Sequence, residues 1–121
     1  MARILVADDE VAVRFALVEL LEAQGHDVLS VGQGQEALDQ LPGDFDLLIT
    51  DLAMPILDGG RLLDIVAARW PHLPVIIVTG AGAAGGRAGT VIAKPFGPEE
   101  LTAAVAAALA AAPPLQPVPA G

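Results

Sequence analysis

The chain has 121 residues, enough for one domain with its own hydrophobic core. It carries 15 acidic and 6 basic residues, and the net charge of −9 argues against nucleic-acid binding, which requires a basic face for the phosphates. The absence of cysteine excludes a disulfide scaffold, a thiolate metal site and a cysteine nucleophile. Its apolar runs are too short for a membrane span or a signal peptide, so we expect a cytoplasmic protein without membrane contact.

Strand-like and helix-like segments alternate along the sequence. Short runs rich in Ile, Val and Leu predict strands at Arg3–Ala7, Asp27–Val31, Asp46–Thr50, Pro74–Thr79 and Thr90–Ala93. Apolar residues at helical spacing predict helices at Val11–Gln24, Gly34–Leu41, Gly60–Trp70 and from Pro98 onward. This alternation is typical of an α/β fold, in which helices cover both faces of a five-stranded parallel sheet.

Two segments depart from this regular pattern. The crossover between the fourth and fifth strands, residues 80–89, contains five glycines and lacks an apolar stripe. Each glycine costs a helix about 1 kcal/mol relative to alanine, so we predict a Gly-rich loop or a single turn there. Residues 113–121 are proline-rich and are predicted to be a flexible tail or the start of a linker, which leaves residues 1–112 as the folded domain.

Polar side chains follow four of the predicted strands: Asp8 and Asp9, Asp51, Thr79 and Lys94. The carboxyl ends of parallel strands meet at one edge of a sheet, where ligands bind, so these groups are expected to lie together. Carboxylate oxygens suit Mg²⁺, and a lysine can neutralise a phosphoryl oxygen. The set therefore predicts phosphoryl transfer, with Asp51 as the candidate acceptor because it stands alone on its loop.

Each of these residues also has an ordinary structural explanation. Asp8 or Asp9 could cap the first helix, Asp51 could form an Asx turn, and Thr79 could simply end a strand. Lys94 is harder to explain in this way because it is the only lysine in the chain. The combination of all five favours a functional site.

The motifs around these residues resemble the receiver domain of two-component response regulators. They occur in the family's order over nearly the whole chain before the tail: Asp8-Asp9-Glu10, Asp51-Leu52-Ala53-Met54-Pro55, Asp58-Gly59, Thr79-Gly80 and Lys94-Pro95-Phe96. The resemblance implies a three-layer flavodoxin-like fold with strand order 2-1-3-4-5.

The resemblance also implies a role for each matching residue. Asp51 would accept a phosphoryl group from a histidine kinase or a histidine phosphotransfer protein, and Thr79 and Lys94 would bind that group. Mg²⁺ would be held by Asp9, Asp51 and the backbone carbonyl of Ala53, with Asp8 acting mainly through a water molecule. The domain would thus be a phosphorelay switch that catalyses only its own phosphorylation and dephosphorylation.

Two features differ from most receivers. The aromatic switch residue of the family lies three positions before the lysine, and Val91 occupies that position here. The segment before it is short and glycine-rich, as in a minority of receivers that lack a regular fourth helix. No motif identifies the cognate kinase or the downstream effector.

Three other functions compete with this interpretation. A pseudoreceiver would bind a partner without being phosphorylated, although all five site residues are present. A haloacid-dehalogenase-like phosphatase would need a second Asp two residues after its nucleophile, where this chain has Ala53. A flavin-binding domain would need a Ser/Thr-rich phosphate loop where this chain has Asp8-Asp9-Glu10.

We predict a long-lived aspartyl phosphate. The positions two residues after Asp51 and Thr79 are Ala53 and Ala81, whose side chains cannot orient an attacking water molecule. Loss of the phosphoryl group from purified phosphoprotein, followed by intact mass, is expected to be slow. A half-life of only seconds would contradict this prediction.

Overall fold

A computed structural model describes residues 2–41, 43–51, 59–80 and 90–111. The strands are β1 (Arg3–Ala7), β2 (Asp27–Val31), β3 (Leu47–Thr50), β4 (Val75–Thr79) and β5 (Thr90–Ala93). The helices are α1 (Val11–Ala23), α2 (Gly34–Gln40), α3 (Gly59–Arg69) and α4 (Pro98–Ala111). The strand–helix alternation predicted from the sequence is therefore confirmed for these elements.

All five strands are parallel and form one sheet in the order β2-β1-β3-β4-β5. β1 lies between β2 and β3, and its residues Ile4 to Ala7 pair with Leu47 to Thr50. The register brings the last residues of neighbouring strands to the same level, as Ala7 pairs with both Val31 and Thr50. The carboxyl ends of the strands consequently form one edge, as the sequence predicted.

Two hydrophobic clusters fill the space between the sheet and its helices. Alternate strand residues such as Ile4, Ile49 and Val78 pack with Leu17 of α1 and Leu101 of α4 on one face. The intervening strand residues pack with α2 and α3 on the opposite face. The buried residues of this second cluster are Leu5, Ala7, Val31, Ala37, Leu41, Leu48, Leu62 and Val66. Because side chains alternate across a strand, β1 and β3 contribute buried residues to both clusters, which explains their nearly unbroken apolar sequences.

The predicted element bounds differ from the observed ones by a single residue. β3 begins at Leu47, one residue later than predicted. The preceding residue, Asp46, instead accepts a 2.9 Å hydrogen bond from the backbone N–H of Arg3 through its side-chain Oδ2. α1 ends at Ala23, and Gly25 follows with φ at +88°, a left-handed conformation that glycine adopts without a steric penalty.

Two predictions fall outside the described residues. The loop was predicted for residues 80–89, and all of it except Gly80 lies outside the described residues. The tail predicted for residues 113–121 also lies outside them. Among the helices of the described ranges, none is long and apolar enough to cross a lipid bilayer.

A matched pair of leucines tests the assignment of the core. Leu5 is fully buried, whereas its register partner Leu29 on the neighbouring strand has 38% of its surface exposed. We expect Leu5→Ala to lower the free energy of unfolding by about 2–5 kcal/mol, because it leaves a cavity in the core. Leu29→Ala is expected to cost less than about 1 kcal/mol, since less apolar surface is lost. Urea unfolding measures both values, and equal losses would contradict the described packing.

Candidate functional site

Three backbone hydrogen bonds extend the sheet beyond the ends of its strands and fix the polar residues there. The N–H of Asp51 donates to the carbonyl of Ala7 at 3.0 Å, and the N–H of Asp8 donates to the carbonyl of Val31 at 3.1 Å. At the other side of the sheet, the N–H of Lys94 donates to the carbonyl of Thr79 at 2.8 Å. The side chains predicted to converge are therefore attached to rigid backbone.

Lys94 forms the electrostatic centre of this edge. Its Nζ lies 2.6 Å from Oδ2 of Asp51, 2.9 Å from Oδ2 of Asp8 and 2.8 Å from Oε1 of Glu10. The lysine side chain is largely buried, and the carboxylates of Asp8 and Asp51 are almost completely so. A single ammonium group thus links the segments that follow β1, β3 and β5.

The acidic residues form a group with the dimensions of a cation site. Asp8, Asp9 and Asp51 each offer one carboxylate oxygen, and these three oxygens lie within 4.8 Å of one another. Asp8 and Asp51 are buried, whereas Asp9 is exposed. Oxygen ligands of this kind, with one side open to water, suit Mg²⁺, which keeps several water molecules when it binds to proteins.

Burial and charge act in opposite directions on the ionisable groups. Burial raises the pKa of Asp8, and the hydrogen bond from the backbone N–H of Glu10 and the charge of Lys94 offset this only in part. Burial alone would lower the pKa of Lys94, but its hydrogen bonds to Asp51 and Glu10 and the negative charge of Asp8 outweigh that effect and raise the pKa. Lys94 is therefore firmly protonated, and the site favours an additional positive charge.

Thr79 brings a buried hydroxyl group to the same edge. It ends β4, and its Oγ1 finds no hydrogen-bond partner among the described residues. A buried hydroxyl without a partner is unfavourable, so such groups usually mark a place where a ligand or water binds. The hydroxyl is thus suited to donate to an anion bound at this edge.

The structure also tests the helix-cap interpretation of the acidic motif. The N-cap residue of α1 is Glu10, and its side chain makes no cap hydrogen bond within the described part of the chain. Oδ1 of Asp8 accepts a 2.8 Å hydrogen bond from the N–H of Glu10 and so shapes the turn that leads into the helix. Asp8 therefore has a local role in addition to its place in the acidic group.

Two residues of the site were not singled out from the sequence. Glu10 belongs to the acidic motif, but its contact with Lys94, 84 positions away, has no local signal. Arg14 donates from Nη1 to the backbone carbonyl of Asp8 at 2.9 Å and so braces the first acidic loop from α1. A side chain placed at Gly32 would lie 2.9 Å from Nη1 of Arg14, so this glycine leaves room for the guanidinium group.

The remaining sequence expectations have different outcomes. The Lys94–Pro95 peptide bond is cis. Val91 lies on β5 with 43% of its surface exposed, so the position of the usual aromatic residue carries a small, outward-facing side chain. Ala53, whose carbonyl was expected to bind the metal, lies outside the described residues.

Comparison with known proteins identifies the family of this chain. The sequence matches the family model of the response regulator receiver domain over residues 4–106. The response regulator protein FleR of Pseudomonas aeruginosa is 40% identical over 83 residues, which cover 68% of this chain and 18% of FleR. The transcriptional regulatory protein FixJ of Bradyrhizobium diazoefficiens is 36% identical over 119 residues, covering 92% of this chain and 58% of FixJ. The chain thus spans less than two thirds of the length of both relatives.

A solved structure provides a comparison over a whole chain. The response regulator protein TrrA of Thermotoga maritima, crystallised in complex with Mg²⁺-BeF, superimposes with a TM-score of 0.82 at 29% identity. The match covers 88% of this chain and 98% of TrrA. The sheet order and the polar edge described above are thus embedded in a fold shared with a response regulator. The chain belongs to the response regulator receiver domain family, the phosphorylatable switch domains of two-component signalling.

Proposed function

We propose that Asp51 is the phosphoryl acceptor of this receiver domain, assisted by Lys94, Thr79 and a Mg²⁺ ion bound at Asp8, Asp9 and Asp51. The single observation that carries the proposal is the position of Asp51, whose Oδ2 lies 2.6 Å from the ammonium group of Lys94. The same carboxylate belongs to the acidic group whose oxygens lie within 4.8 Å of one another. One carboxylate therefore adjoins both a fixed positive charge and a cation site, as phosphoryl transfer requires.

The donor set fits Mg²⁺. When bound, the ion would offset the repulsion between the carboxylates and the incoming phosphoryl oxygens. Asp9 is exposed and can offer an oxygen from the solvent side, whereas Asp8 and Asp51 offer theirs from the buried side. The carbonyl of Ala53 remains a proposed further ligand on the basis of the family resemblance.

The residues of the chain have distinct tasks in the transfer. A carboxylate oxygen of Asp51 forms a bond to phosphorus while the bond between phosphorus and the imidazole nitrogen of the donor breaks. The electron pair of the broken bond stays on that nitrogen, which takes a proton from solvent. Lys94 neutralises one phosphoryl oxygen, and the hydroxyl of Thr79 donates a hydrogen bond to another. These groups position and neutralise the phosphoryl group, and the domain acts on no other substrate.

The donor and the setting follow from the same family membership. We infer that a histidine kinase or a histidine phosphotransfer protein supplies the phosphoryl group and that the domain works in the cytoplasm. The output is carried by an effector protein or domain whose identity the receiver fold does not specify. The acidic composition supports a domain that itself makes no nucleic-acid contact.

Replacement of Asp51 tests the acceptor. Incubation with acetyl phosphate and Mg²⁺ is expected to add the mass of one phosphoryl group to the wild-type chain and none to Asp51→Asn, because the amide is not a nucleophile. Asp39→Asn, which changes an exposed acid on α2, serves as the control and is expected to be modified like the wild type. No adduct on the wild type, from either acetyl phosphate or a kinase, would favour a pseudoreceiver instead.

Replacement of Lys94 tests the electrostatics. Lys94→Met leaves the buried carboxylates of Asp8 and Asp51 without their counter-charge, and breaking a buried ion pair in this way costs about 3–5 kcal/mol. We expect this loss in the free energy of unfolding in the presence of EDTA, with partial recovery when Mg²⁺ is added, because the ion binds only the folded state.

The double variant Lys94→Met/Asp51→Asn provides the control for this measurement. It removes one of the buried charges together with the lysine, so its loss in EDTA is expected to be smaller than that of Lys94→Met alone. Equal unfolding free energies for the wild type and Lys94→Met in EDTA would contradict the electrostatic role assigned to Lys94.

A further inference from the structure

Glu10 makes a contact that neither its position before α1 nor the acidic group explains. It is the N-cap residue of α1, yet its side chain makes no cap hydrogen bond within the described part of the chain. Instead Oε1 accepts a 2.8 Å hydrogen bond from Nζ of Lys94. The glutamate side chain is 59% exposed, in contrast to the buried Asp8 and Asp51. An exposed carboxylate thus reaches over the site and holds the lysine from the solvent side.

Carboxylates surround the ammonium group of Lys94: Glu10 and Asp51 accept hydrogen bonds from it, and Oδ2 of Asp8 forms an ion pair with it. An ammonium group has three N–H donors. In the structure three carboxylates, those of Asp51, Asp8 and Glu10, lie within 2.9 Å of the nitrogen. A phosphoryl oxygen that binds Lys94 therefore competes with these carboxylates for the ammonium group.

Exposure determines which contact is easiest to replace. Asp8 is buried, so its carboxylate cannot turn to bulk solvent when the lysine moves. Asp51 is covalently joined to the incoming group and stays next to it. Glu10 is exposed, so water can solvate its carboxylate as soon as the lysine turns away.

We propose that Glu10 is a positioning residue that holds Lys94 over the site before phosphorylation and gives up this contact to the phosphoryl group. Its charge also discriminates among phosphodonors, because it opposes the approach of groups with a high negative charge. The inference rests on the proposed function and adds to it a residue that governs access. Glu10 lines a cavity of about 1050 Å³ together with Asp51, Lys94 and Phe96, which places its carboxylate where a donor can approach.

Donor charge provides the first test. Glu10→Gln keeps an oxygen that can accept from Lys94 but removes the negative charge. With saturating Mg²⁺, we expect the variant to be phosphorylated by acetyl phosphate, a dianion, about three- to tenfold faster than the wild type, the effect of one charge near the surface. With phosphoramidate, which carries one negative charge less, the increase is expected to be smaller.

Glu19→Gln is the matched control for this test. Glu19 lies on α1 and lines the same cavity as Glu10, and its replacement changes the net charge equally. We expect wild-type rates with both donors. An equal increase in the Glu10 and Glu19 variants, or an equal increase with both donors in Glu10→Gln, would overturn the inference.

The single lysine of the chain provides a second test that does not depend on phosphorylation. Lysine labelled with ¹³C at Cε gives one side-chain NMR signal, that of Lys94. Titration with beryllofluoride in the presence of Mg²⁺ is expected to shift this signal at a lower beryllofluoride concentration in Glu10→Gln than in the wild type or Glu19→Gln. Identical titration curves for all three proteins would overturn the inference.

The two experiments separate failure of the inference from failure of the proposed function. A wild-type chain that binds beryllofluoride less tightly than Glu10→Gln, but accepts no phosphoryl group from either donor, would contradict Asp51 as acceptor and support the role of Glu10. A wild-type chain that is phosphorylated on Asp51 at the same rate as Glu10→Gln with both donors would support the acceptor and contradict the role of Glu10.

Discussion

The ion pairs of Lys94 are the interaction on which the arrangement of the site depends. Asp8 and Asp51 are buried at neighbouring strand ends, and two buried carboxylates so close together would repel each other and lose their hydration. The ammonium group, within 2.9 Å of both, compensates for these costs. It also joins segments that are distant in sequence, so that the loops after β1, β3 and β5 share one electrostatic centre.

The parallel sheet supplies the frame for this interaction. Hydrogen bonds that continue past the last strand residues hold the backbone of Asp8, Asp51 and Lys94 in register with their neighbours. Helices pack on both faces and bury the strands, which restricts the approach of ligands to the open edge. Exposure then divides the acidic residues: Asp8 and Asp51 are buried at the strand ends, whereas Asp9 and Glu10 face solvent, the side from which the proposed cation and phosphodonor would approach.

Most of the fold could be predicted because its signals are local. Apolar runs and helical periodicity placed the strands and helices to within a residue, and the parallel topology then predicted that Asp8, Asp51, Thr79 and Lys94 meet at one edge. The start of β3 was wrong by one residue because Asp46 binds the backbone of Arg3, a contact between distant parts of the chain. The contacts of Glu10 and Arg14 were not predicted for the same reason: a side chain's partner depends on which groups the fold brings within reach.

The sequence by itself determined the fold class, the strand order through its family resemblance, and the identity of the groups at the sheet edge. These follow from short-range patterning and from motifs whose order along the chain is visible without coordinates. Only the tertiary structure decided how the charges are paired: Lys94 holds three carboxylates at once, Thr79 is left with a buried hydroxyl, and Glu10 turns from its own helix to the lysine. Charge pairing depends on distance and on exclusion of water, and both are set by packing between segments that the sequence keeps far apart.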